Sequence, residues 1–138
     1  MKIKLSREND LFHFNAKNAS NLNLDIDGSP SIGGENKGFT PMELMLSGMA
    51  SCSTIDLLLI LKKQKQIVDS INIEASAERM ETPAKEFKSV HIHYILEGEI
   101  AGAKLERAID LAISKYCSAL LSLNPTIVVT SSFTVNGK

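Results

Sequence analysis

Cysteine is scarce. Cys52 and Cys117 are the only two in 138 residues, too few for a disulfide scaffold, and a chain of this size can build its core without one. Reduced thiols in a cytoplasmic protein are the expectation. Charge of one sign is also lacking: fifteen Lys and Arg against sixteen Asp and Glu leave a formal charge of −1, so neither nucleic acid nor a membrane surface is an expected partner. The longest wholly aliphatic run is Leu57 to Leu61, which argues against a spanning helix. Met1 to Asp10 alternates charged and single apolar residues, unlike a standard signal peptide. Ile32-Gly33-Gly34 is followed by no Gly-Lys-Ser/Thr, so no phosphate cradle is expected. With 43% hydrophobic and 22% charged residues, no internal repeat and no low-complexity stretch, the chain reads as one globular domain over residues 1–138.

The first third carries strand patterns. Ile3 and Leu5 alternate with lysines, Glu8-Asn9-Asp10 is a polar turn, and Leu11 to Phe14 is expected to return as the second arm of a hairpin. Leu22, Leu24 and Ile26 alternate with Asn21, Asn23 and Asp25 as a half-buried strand closed by Asp27-Gly28. Ser29 to Gly38 is a surface loop. A helix then starts with Thr40 as cap, Pro41 in the first turn, and Glu43 three residues after Thr40 as in a capping box.

Between Leu44 and Leu61 the apolar residues cover most of the helix circumference, so burial on nearly all sides is expected. A sheet of about six strands covers only one side of such a helix, and an isologous contact with a second copy is the simplest cover. Lys62, Lys63 and Lys65 suit the negative end of its dipole better than a nucleic-acid site. Strands follow over Ser70 to Ala77 and Phe87 to Glu97, the latter with Val90, Ile92, Tyr94 and Leu96 on its inward face. A second helix from about Ala103 carries its stripe through Leu120 until Asn124-Pro125, and Ile127 to Val135 forms a last strand. Strands, helix, strands, helix, strand fits an α+β architecture.

Cys52 lies too deep in the first helix for the amino-terminal dipole to help its thiolate. Met45, Gly48 and Met49 precede it on its face, and Ile55, Asp56 and Leu59 follow, a mostly apolar lining that raises a thiol pKa. An ionised Asp56 raises it further, so a reactive Cys52 requires a basic partner. A buried packing role explains the same residues. The 65 positions between the two cysteines match no zinc or CxxC spacing, so no metal is expected. His91 and His93 share the outer face of their strand and are read as solvated, without a carboxylate or thiol to complete a metal set. His13 has no identifiable partner.

The segment Gly38-Phe39-Thr40-Pro41-Met42-Glu43-Leu44-Met45-Leu46-Ser47-Gly48-Met49-Ala50-Ser51-Cys52 resembles the first cysteine motif of the OsmC/Ohr superfamily of thiol-dependent hydroperoxide reductases. Cys117 stands where the second family cysteine belongs, and Lys115-Tyr116-Cys117-Ser118 with the Met-rich helix looks most like the YhfA-like branch. The resemblance implies an OsmC-like α+β fold, with antiparallel-rich sheets of about six strands packed on two main helices, in an intertwined homodimer. It also implies a peroxidase acting on organic hydroperoxides in oxidative stress. Cys52 would be the peroxidatic thiolate, oxidised to a sulfenic acid, and Cys117 would resolve it as a disulfide reduced by an external thiol or dithiol. No metal, flavin or haem is implied, and Met45, Met49 and Ile55 would suit an alkyl chain.

The family pairs its cysteine with an arginine from the amino-terminal strands and a glutamate at the helix start. Arg7 is the only arginine before Cys52, whereas the glutamate position, ten before the cysteine, is Met42. Glu43 comes one place later. Nine residues of helix span roughly 13 Å and about two and a half turns, so a Glu43 contribution at Cys52 has to come from a second copy. Ser118 follows Cys117 where the reductases often have proline. The competing reading is a non-catalytic or weakly catalytic stress-associated protein that binds a small hydrophobic ligand.

Overall fold

The alternating amino-terminal residues form three short strands, β1 (Ile3–Arg7), β2 (Phe14–Asn18) and β3 (Asn23–Ile26), paired antiparallel in that order. The computed structural model describes residues 1–138 and divides into two compact units, Met1–Met45 and Leu46–Lys138. In the first unit β2 starts at Phe14, later than the sequence suggests. The Asn9 side chain accepts the N–H groups of Leu11 and His13, and Glu8 N–H bonds to His13 O at 2.8 Å, so the turn takes up residues 9–13. Leu22 and Leu24, expected to be half-buried, are 68% and 44% exposed, and all of β1 is exposed. Ala16 and Asp27 are the buried residues of this unit. Asp27 accepts the N–H groups of Gly28, Glu35 and Lys37 and so orders the loop that leads to the first helix.

Helix α1 (Pro41–Lys63) starts as its capping box requires: Glu43 Oε2 accepts Thr40 N–H at 2.8 Å, and Thr40 Oγ1 accepts Glu43 N–H at 3.4 Å. By length and composition this helix could cross a bilayer, which a search for consecutive aliphatic residues overlooks because Ser, Gly and Ala are interspersed. Its inward residues nevertheless belong to the protein core, with Leu57 and Leu61 wholly buried. The burial expected on nearly all sides is absent from a single chain. Met49, Ser53, Thr54, Leu57 and Leu61 are buried, whereas Met45, Ile55 and Leu59 are 47%, 61% and 54% exposed. One chain provides packing for only one side of an all-round apolar helix.

Three strands follow in the second unit: β4 (Ile67–Arg79), β5 (Phe87–Glu99) and β6 (Val128–Val135). The six strands therefore divide into two sheets of three. Alternation along β5 turns Val90, Ile92, Tyr94 and Leu96 inward, each at most 1% exposed. The Tyr94 hydroxyl donates to Ser53 Oγ at 2.7 Å and ties β5 to α1. Gly98 sits opposite the β4 irregularity at Val68–Ser70 with φ +141°, where a Cβ would lie 2.2 Å from Ile67 O, so no larger residue fits. Strand β6 runs parallel to β5, an arrangement that needs a crossover.

The crossover differs from the single helix read in the sequence. Helix α2 (Gly102–Leu111) widens into a π-turn over Ala112–Tyr116, breaks at Cys117, and resumes as the short α3 (Ser118–Leu121). Apolar spacing continues through the break, which is why periodicity alone does not reveal it.

Helix α1 ends with Lys65 at φ +57°, with Gln66 N–H bonded to Leu61 O at 3.0 Å. A left-handed residue here normally favours glycine. Lys65→Gly is expected to stabilise the protein by roughly 0.5–1 kcal/mol, the relief of the left-handed penalty less the added unfolded-chain entropy, read as a raised urea midpoint at unchanged slope.

Candidate active site

Cys52 reaches the site from the middle of α1, half-buried, and Cys117 reaches it from the break before α3, fully buried. Both are free thiols. The two sulfurs and a carboxylate oxygen of Asp56 all lie within 4.8 Å of one another. Proximity in space, which the sequence spacing leaves open, is therefore realised.

The wide turn sets this geometry. Cys117 N–H bonds to Ala112 O at 2.8 Å, closing the π-turn, and the Cys117 backbone then becomes extended, with ψ 101°. From that position Cys117 caps α3: its sulfur accepts Leu120 N–H at 3.5 Å and lies 3.9 Å from Met49 O. Ser118, the next residue, places its hydroxyl 3.6 Å from the Cys52 sulfur.

These contacts separate the proton affinities of the two thiols. The backbone N–H of Ala119 does most to hold Cys52 below the ordinary thiol pKa, against the opposing effect of burial, and the Ser118 hydroxyl and Cys117 thiol assist. The Asp56 charge pulls the other way. Burial pushes Cys117 up to about 11, with Leu120 N–H offsetting part of the effect and the neighbouring Cys52 reinforcing it. Of the two, Cys52 is the more readily ionised thiol and Cys117 the one held protonated.

Within the second unit, backbone N–H, hydroxyl and thiol donors favour ionisation of Cys52. Arg7, within the first unit, donates from its guanidinium to the carbonyls of Asp10 and Leu11. Glu43 closes the capping box. Met49 is 2% exposed and places its carbonyl beside Cys117, whereas Met45 and Ile55 are exposed on α1. Ser118 and Ala119 are the contributors that sequence reasoning missed. A cysteine followed by Ser-Ala-Leu-Leu is compatible with a helix cap, but the uninterrupted apolar stripe hides the break that makes it one.

The histidines are satisfied elsewhere. His91 Nδ1 and Nε2 meet Thr130 and Ser132 hydroxyls at 2.7 and 2.9 Å, and His93 Nδ1 and Nε2 meet Ser132 and Thr134 at 2.7 and 3.1 Å. Both are half-buried on the outer face of β5, engaged across the parallel register with β6 rather than freely solvated. His13, unpartnered on sequence grounds, pairs with Asp25 at 2.9 Å.

Comparison with known proteins agrees with this fold. The chain belongs to the OsmC-like protein family, which it matches over residues 34–132, and to its YhfA-like branch. It is 32% identical to Protein YhfA of Escherichia coli strain K12 over 123 residues, 88% of this chain and 89% of that protein. A crystal structure of a hypothetical protein from Aquifex aeolicus VF5 superposes with a TM-score of 0.84 at 31% identity, covering 98% of this chain and 95% of the other. The fold is also that of an organic hydroperoxide resistance protein OsmC from Legionella pneumophila, with TM-score 0.76, 20% identity and coverage of 97% and 96%.

Two substitutions should shift the Cys52 pKa in opposite directions. Ser118→Ala removes a donor to the thiolate and should raise it, while Asp56→Asn removes an opposing charge and should lower it. The pH dependence of iodoacetamide alkylation at Cys52 reads both, and wild-type Cys52 should react at lower pH than Cys117.

Proposed function

We propose that this protein is a cysteine-based peroxidase that reduces organic hydroperoxides to alcohols. The observation that supports the reading is a pair of free thiols with sulfurs within 4.8 Å, one disposed to ionise and the other held protonated. A disulfide needs an S–S bond of about 2.05 Å, so closure calls for only local movement at the Cys117 break.

In the first step the Cys52 thiolate attacks the distal peroxide oxygen. The O–O bond breaks, Cys52 becomes a sulfenic acid, and the departing alkoxide takes a proton to leave as the alcohol. In the second step the Cys117 sulfur attacks the Cys52 sulfur, and the sulfenic hydroxyl leaves with the Cys117 proton as water. The disulfide that forms is returned to two thiols by an external thiol or dithiol. No metal, flavin or haem takes part in the cycle. Exposed Ile55 and Met45 on α1 offer apolar surface to an alkyl chain, and Met49 backs the thiol pair from within. Arg7 and Glu43 are proposed as auxiliary electrostatic groups.

The proposal includes a homodimer in the cytoplasm, where thiols stay reduced. Exposed apolar side chains on α1 and on the first sheet, among them Leu59, Ile3 and Leu22, support a second copy as cover. Light scattering with size exclusion is expected to give twice the 15.1 kDa chain mass.

One equivalent of cumene hydroperoxide should convert the reduced wild type to an intramolecular disulfide, seen as two lost thiols and a mass lower by two hydrogens. Cys117→Ser should accumulate a sulfenic acid that dimedone traps, and Cys52→Ser should not react. Arg7→Met and Glu43→Ala should slow the first step without abolishing it. Wild-type thiols that survive hydroperoxide would overturn the peroxidase reading and favour binding of a small hydrophobic ligand.

A further inference from the structure

The carboxylate of Asp56 has no role in the thiol cycle and acts against it, because its charge opposes ionisation of Cys52. Asp56 is half-buried on α1 and takes part in none of the chain's ion pairs, which join His13 to Asp25, Lys37 to Glu35 and Lys88 to Glu78. Its oxygen nonetheless lies within 4.8 Å of both sulfurs. Two sulfurs and one carboxylate oxygen converging from two chain segments form a donor set of a recognisable kind. Around a tetrahedral Zn2+, with Zn–S near 2.3 Å and Zn–O near 2.1 Å, ligand atoms stand roughly 3.5–3.8 Å apart. A contraction of about 1 Å would bring the three groups to that spacing, and the half-buried Cys52 and Asp56 leave a route for an ion.

We infer that Cys52, Asp56 and Cys117 form, in the reduced protein, a binding site for a thiophilic divalent cation of the Zn2+ type. Two thiolates select a soft or borderline ion over Mg2+ or Ca2+. The charge balances. The ion enters with two positive charges as the two thiol protons leave to solvent, so the site keeps the single negative charge of the carboxylate, now compensated by direct ligation. Water occupies the fourth position. The histidines do not compete, because all four ring nitrogens of His91 and His93 are engaged by hydroxyls.

The inference shares its sulfurs with the proposed peroxidase but stands apart from that activity, and the experiment separates them. Anaerobic titration of the reduced protein with Co2+ should give sulfur-to-cobalt charge-transfer absorption saturating at one ion per chain and displaced by Zn2+. Cys52→Ser and Cys117→Ser should each lose about half of that intensity, and a protein oxidised to the disulfide should lose it all. Asp56→Asn should keep both thiolate contributions yet bind Zn2+ at least about tenfold more weakly, because removing even an outer-shell partner commonly costs that much. The inference is overturned by absence of the charge-transfer band, by its full retention in either serine variant, or by an Asp56→Asn protein of wild-type affinity. A protein that consumes hydroperoxide without binding Co2+ would overturn the metal site alone, and one that binds Co2+ but ignores hydroperoxide would overturn the peroxidase alone.

Discussion

The interruption of the second helical segment at Cys117 governs the chemistry of the thiol pair. A continuous helix would direct Leu120 N–H to a carbonyl four residues back, and it would leave no free amide turned towards Cys52. The π-turn over Ala112–Tyr116 inserts one residue's worth of slack, and Cys117 leaves helical geometry to cap the short helix that follows. Its sulfur then occupies the place usually taken by a serine or aspartate oxygen. Ser118 and Ala119 are turned towards α1 by the same step, so one backbone irregularity both buries one thiol and supplies the donors that favour ionisation of the other.

Much of the fold was legible because it rests on periodicity and caps. Thr40 and Glu43 announce the start of α1, and the reciprocal bonds are present. Val90, Ile92, Tyr94 and Leu96 announce the inward face of β5. The break at Cys117 was not legible, because apolar residues continue at helical spacing on both sides of it. The turn before β2 is hidden for a related reason: Leu11 and Phe12 look like strand residues, but the Asn9 side chain captures the local N–H groups and delays pairing.

At the site, the sequence pointed to the two cysteines through their family motif, and to Asp56 through its place one turn after Cys52. It could not supply their separation, and it gave no sign of the Ser118 and Ala119 donors that favour ionisation of Cys52. Backbone amides carry no residue-type signal. An argument from side chains alone therefore turns to cations such as Arg7, whose guanidinium is bonded to the Asp10 and Leu11 carbonyls. The outer face of β5 was similarly obscured, since three hydroxyls nearly forty residues downstream determine whether His91 and His93 are solvated or tied down.

The depth of Cys117 also bears on how the proposed disulfide would be reopened. A reducing thiol arriving from solvent meets the more accessible sulfur of Cys52 and must expel Cys117 as the leaving group. A thiol whose pKa burial pushes above the ordinary thiol value departs slowly in such an exchange, because the developing thiolate is poorly stabilised where it is buried. Reduction would then be chemically lopsided: small monothiols would open the bond sluggishly, while a reductant able to protonate the departing sulfur, or to hold the mixed disulfide on Cys52 and follow with a second thiol, would have the advantage. The burial that keeps Cys117 quiet before oxidation would thereby make the closed form selective about what reopens it.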